Sequence, residues 1–294
     1  MKVSVLLAAV LPLALGAAAR ADVTSNNFSS DPIVGGPASV VGDASRFTYN
    51  AGSKTITAVY DSTQPTAELV FPLVSTITQN QSFSYSTTFT INSIVNFDHP
   101  GSTSPPYGTT EVSFGLLNSA LTGTDRNNNA YDIAEVDYFP VNTGFGTPTL
   151  APTVIKSSQT AGDFDNQIDF DFTSNANIPT FLNTGVPIGA TVSYNASTQV
   201  ISATFTASQL MIDAGQPDTF TYTHQLDLSG GKSFAFDSFG ITLWNDSAFI
   251  NNGSDVPLDA TVTFGGFTVT SVPEPMSLGV LAAGGMLLLV RRRK

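Results

Sequence analysis

Ile133-Ala134-Glu135-Val136-Asp137-Tyr138-Phe139 sets two carboxylates two residues apart in an otherwise apolar segment. Read as a strand, it places Ile133, Glu135, Asp137 and Phe139 on one face, and Ala134, Val136 and Tyr138 on the other. Two carboxylates two residues apart on a sheet face stay ionised together only with a cation or hydrogen-bond donors beside them. Oxygen-only ligands would favour calcium over manganese or zinc. Asp125-Arg126-Asn127-Asn128-Asn129 also carries oxygens at alternate positions, but Ala130 and Val136 stand where a calcium loop of the EF-hand type needs Gly and Glu, so it is a polar turn leading into the strand. Asp163, Asp165, Asn166, Asp169 and Asp171 form a second acidic group around Ile168, Phe170 and Phe172. Trp244, the single tryptophan, and Tyr138 are candidate rings for stacking on a sugar.

Other chemistries are excluded by what the chain lacks. There are no cysteines, so thiol catalysis, Cys-type zinc sites and disulfide staples are ruled out. His99 and His224 are the two imidazoles, one in a Pro/Gly/Ser-rich loop and one in a Thr/Tyr-rich stretch. Nucleotide-binding glycine loops and a Gly-x-Ser-x-Gly nucleophile elbow are absent.

The elements that must position Glu135 and Asp137 are strands. Phe83, Tyr85, Thr87, Phe89 and Ile91 alternate with Ser84, Ser86, Thr88 and Thr90, and Ile201, Ala203, Phe205 and Ala207 with Ser202, Thr204 and Thr206. Further apolar pairs follow at Phe234/Phe236, Ile241/Leu243, Val262/Phe264 and Phe267/Val269. Period-two alternation broken by Asp98-His99-Pro100-Gly101, Asn195-Ala196-Ser197-Thr198 and Ser229-Gly230-Gly231 predicts an all-β antiparallel sandwich or barrel. One such domain is expected over residues 22–271. Residues 22–45 form either a loose arm or a first strand pairing beside the last.

Both ends read as addresses. Lys2, the apolar run Val3 to Ala18 and Ala19-Arg20-Ala21 make a secretory signal peptide over residues 1–21. Residues 272–294 hold Pro273-Glu274-Pro275, an apolar and small-residue run from Met276 to Val290, and Arg291-Arg292-Arg293-Lys294. The run is 15 residues, shorter than the ~20 of a comfortable membrane span. This tail resembles the PEP-CTERM sorting signal of exopolysaccharide-producing bacteria. The resemblance implies export, a short transmembrane helix that anchors the chain in the inner membrane at least transiently, and an exosortase-type processing enzyme as partner. The destination it implies is the cell surface or the extracellular matrix. The intervening residues 22–272 keep 5 of the 11 basic and 22 of the 23 acidic residues, a net charge of −17. That surface repels nucleic acid and anionic lipid, and suits neutral polysaccharide or divalent cations.

A second resemblance sharpens the fold class. Val192-Ser193-Tyr194-Asn195-Ala196-Ser197-Thr198, the Glu135-x-Asp137 strand, and Phe236-Asp237-Ser238-Phe239-Gly240-Ile241 with Gly266-Phe267-Thr268-Val269 look like legume-type lectins, and their order along the chain agrees. The resemblance implies a concanavalin-like jelly roll. It also implies Glu135 and Asp137 as ligands of a transition metal and calcium, with Asn142 as a calcium ligand. That family completes its loop with another aspartate and a histidine, and neither His99 nor His224 is placed to serve. The functions expected are therefore a secreted matrix protein with a non-catalytic, lectin-like glycan site, or a purely structural envelope protein. A laminarinase-like hydrolase shares the jelly roll and carries Glu-x-Asp-x-x-Glu on its catalytic strand. Here Pro140 occupies the second glutamate's position, so no enzyme is expected.

Overall fold

The computed structural model describes residues 21–61, 64–95, 111–121, 132–139, 149–156, 184–207, 219–244 and 259–273. Two antiparallel sheets face each other. The first runs β12 (Thr219–Gln225), β11 (Val200–Ala207), β10 (Pro187–Asn195), β6 (Gln81–Val95), β14 (Asp259–Pro273), β4 (Thr55–Asp61) and β3 (Phe47–Asn50), with β1 (Asp22–Asn26) paired to β14 as an eighth strand. The second runs β2 (Ser39–Val41), β5 (Ala67–Thr78), β13 (Ala235–Trp244), β7 (Glu111–Leu117), β8 (Ile133–Phe139) and β9 (Thr149–Ile155). The expected antiparallel sandwich is present, and residues 22–26 form a first strand beside the last rather than a loose arm.

Alternation decides which side chains meet between the sheets. Phe83, Tyr85, Phe89 and Ile91 of β6 and Ile201, Ala203 and Phe205 of β11 turn inward, as their spacing predicts. They meet Phe236, Phe239, Ile241 and Leu243 of β13, and Val112, Phe114 and Leu116 of β7. Aromatic rings fill this layer: Phe239 stacks on Phe267 at 4.2 Å and Phe234 on Phe236 at 4.6 Å. Each buried ring contributes about 2 kcal/mol through apolar area, and such pairs add about 1 kcal/mol more. β1 is fastened by the same layer. Phe28, just past its end, is fully buried 5.8 Å from Phe71, and its carbonyl accepts the Tyr49 hydroxyl.

The lectin-like hairpin forms as β10, a turn, and β11. Asn195 closes the turn by accepting at its side-chain oxygen from the amides of Ser197 and Thr198, and Gln199 takes a positive φ of 55°. The segments 1–20 and 274–294, which hold nearly all of both terminal signals, lie outside the described residues, as do Asp125–Asn129, Asn142, His99 and the acidic group from Asp163 to Asp171. No helix among the described residues is long and apolar enough to cross a membrane.

Candidate functional site

β8 is an interior strand of the six-stranded sheet, and its register with β7 and β9 builds the candidate site. Ala134, Val136 and Tyr138 enter the layer between the sheets. Glu135 and Asp137 therefore lie on the sheet's other face, where strand geometry places them together. That face is buried as well. Glu135 is 3 % exposed and Asp137 0 %.

Two rows cross this face. In the first, Glu68 pairs with Thr242, Thr242 with Ser113, and Ser113 with Asp137. All four are at most 1 % exposed. In the second, Val70, Gly240, Gly115, Glu135 and Thr153 stand in register. Ser113 Oγ donates to Asp137 Oδ1 at 2.9 Å, and Thr153 Oγ1 donates to Oδ2 at 2.5 Å. Both oxygens of this buried side chain thus have hydroxyl partners, as buried polar atoms require. Trp244, Val70, Leu117, Ile133 and Ile155 form a small apolar cluster on the same face.

Glycine thins the sheet at the centre of the second row. Gly115 has φ +156°, and a Cβ there would meet Ala134 O at 2.4 Å, Glu135 Cα at 2.5 Å and the Tyr85 hydroxyl at 2.8 Å. Tyr85 crosses from β6 to this point. Burial, and then the charges of Glu135 and Asp137, hold its hydroxyl well above the usual phenol range, so it stays protonated.

Glu68 contrasts with Asp137. It is 1 % exposed, and among the described residues neither carboxyl oxygen has a hydrogen-bond partner. Burial pushes its carboxyl up to about 7. A lone glutamate inside the apolar run Ala67–Phe71 is a signal the sequence does carry. Ser113, Thr153 and Thr242 carry no such signal, because only strand register makes them neighbours of the acids.

The candidate rings are packing residues. Tyr138 is 1 % exposed within the inter-sheet layer, and burial raises its hydroxyl. Trp244 turns to the opposite face from Leu243 and is 4 % exposed. Neither offers an open stacking surface. Among the described residues no three His, Cys, Asp or Glu side chains group to hold a metal ion. Glu135 and Asp137 share one face of the sheet as expected, but two carboxylates, with each Asp137 oxygen already accepting from a hydroxyl, do not by themselves make the six or more oxygens of a calcium site.

No family model matches the chain, and no curated protein does. Solved structures do. The basic winged bean lectin with Tn-antigen superposes with TM-score 0.53 at 11 % identity, covering 87 % of this chain and 100 % of that one. Peanut lectin with a 9mer peptide gives TM-score 0.48 at 15 % identity, over 86 % and 98 %. The winged bean acidic lectin complexed with methyl-alpha-D-galactose gives 0.49 at 12 %, over 85 % and 99 %. The first likeness establishes a legume-lectin-like sandwich fold.

Proposed function

We propose that this chain is an exported, surface-sorted bacterial matrix protein whose sandwich is a non-catalytic, lectin-like module for neutral polysaccharide. The sorting half rests on Pro273-Glu274-Pro275, the apolar run and Arg291-Arg292-Arg293, which suit an exosortase-type enzyme and inner-membrane anchoring before or without cleavage. The binding half rests on one observation: the legume-lectin-like sandwich fold of the chain.

A glycan array of the full-length protein, with and without EDTA, tests this. Binding to neutral glycans is expected. Its loss in EDTA would add calcium, completed by residues such as Asn142, whereas survival would assign the binding to protein groups alone. Silence across the array would support the competing reading, a structural envelope protein, which the closure of Asp137 by two protein hydroxyls favours. Reducing ends released from β-glucans, and lost in Glu135→Gln, would instead make it a laminarinase-like hydrolase.

A further inference from the structure

The outward face of the eight-stranded sheet has a composition of its own. Thr221, Thr204, Thr191, Ser86, Thr268 and Ser25 stand side by side across β12, β11, β10, β6, β14 and β1. A parallel row runs Thr223, Ser202, Ser193, Ser84 and Thr270. Neither row contains a charged residue, in a chain whose net charge is −12. Neighbouring strands are ~4.8 Å apart, so the first row spans roughly 24 Å.

A groove of about 460 Å³ lies on this face and crosses from β11 to β1. Its walls include Thr206, Thr191, Thr88, Ser86, Thr268 and Asn27. Gly189 and Gly266 lower its floor. Gly266 sits in the β14 bulge and needs to be glycine, since a Cβ would meet Asn26 O at 2.5 Å. A second groove of about 490 Å³ beside it is lined by Ser82, Ser193, Asn195, Thr198 and Ser202. Among the described residues no group engages the hydroxyls of Ser86, Thr88, Thr191, Thr206 or Thr268, which leaves donors and acceptors open to a ligand.

We infer that this groove binds an extended neutral polysaccharide laid across the strands. The site is separate from the buried face of the other sheet. Charge decides the ligand class: an anionic polymer would be repelled by the acidic chain and find no cation here, and a cationic one would find no carboxylate within the rows. Groove shape decides its length. A neutral hydrogen bond changes an equilibrium only about two- to tenfold, so affinity must accumulate over several strands. A polymer does this and a single sugar does not.

Affinity electrophoresis of the full-length protein in gels containing dextran, laminarin or hydroxyethylcellulose, with alginate as the anionic comparison, tests the inference. Retardation is expected in at least one neutral glucan and not in alginate, with inhibition strengthening from glucose to longer oligomers. The triple variant Ser86→Ala/Thr191→Ala/Thr268→Ala should weaken retardation on the order of 100-fold, at about fivefold per lost bond. Thr48→Ala, on β3 outside the groove, should leave it unchanged. All these changes are on exposed positions, so circular dichroism melts should match. Equal retardation of wild type and triple variant, retardation by alginate alone, or none in any glucan would overturn the inference.

Discussion

The two outward faces of this sandwich use the same side chain for opposite ends. On the six-stranded sheet, the hydroxyls of Ser113 and Thr153 are buried and donate to Asp137. On the eight-stranded sheet, those of Ser86, Thr191 and Thr268 are exposed and engaged by no described group. A buried hydroxyl without a partner is costly, so the first face must be satisfied internally. An exposed one is satisfied by water at little cost and can exchange it for a ligand. The closed face therefore holds the fold, and the open face is the one ready to bind.

The largest test of this contrast is a methyl group. Gly115→Ala drives a Cβ into the backbone of Ala134 and Glu135 at an unfavourable φ, which should cost about 4 kcal/mol from strain and overpacking together. Gly189→Ala on the open face meets Thr206 O at 3.7 Å, an ordinary contact. It should be nearly neutral in a urea titration. Comparable losses in both would erase the distinction between the faces.

Next comes Asp137→Ala. It strands two buried hydroxyls and leaves a gap, and should cost about 3 kcal/mol. Asp137→Asn keeps an acceptor for one hydroxyl and should cost less. If Asp137→Ala unfolds at the wild-type urea midpoint, the carboxylate is not holding β7, β8 and β9 together.

Glu68 tests the closed face through pH. Its folded-state carboxyl titrates near 7, above the ordinary 4.5, because burial disfavours the charge. Below pH 4.5 both states carry the proton and nothing is gained or lost. Between 4.5 and 7 the folded state keeps a proton that the unfolded chain has released, so stability falls as pH rises. The full drop, by about pH 8, is on the order of 3 kcal/mol. Glu68→Gln should flatten the stability profile across that window, and a wild-type profile already flat there would show the carboxyl to be solvated.

Much of this contrast is legible in the sequence and some is not. The alternation of Phe83 to Ile91 and of Ile201 to Ala207 reveals the strands and their inward faces, because period two is local. Glu135 and Asp137 are likewise readable as a pair on one face. What binds them is not, since Ser113 and Thr153 lie 24 and 16 residues from Asp137 and meet it only through register. The same limit hides the hydroxyl rows: Thr191, Ser86 and Thr268 are unremarkable until β10, β6 and β14 align. Tyr138 and Trp244 look like surface rings by type, but burial on both faces of this sheet makes packing residues of them.

The finest test exchanges one oxygen for hydrogen on each face. Ser113→Ala removes a buried donor from a carboxylate and should cost about 2 kcal/mol, the range for a hydrogen bond to a charged group. Ser86→Ala removes a hydroxyl that water already serves and should change stability by less than about 0.5 kcal/mol. The substitution is identical, the strands are both interior, and the helix and turn propensities are not involved. Only the environment of the oxygen differs. A Ser86→Ala loss as large as that of Ser113→Ala would mean the open face is covered and its hydroxyls internally bonded, and the groove would then have no donors left for a polysaccharide.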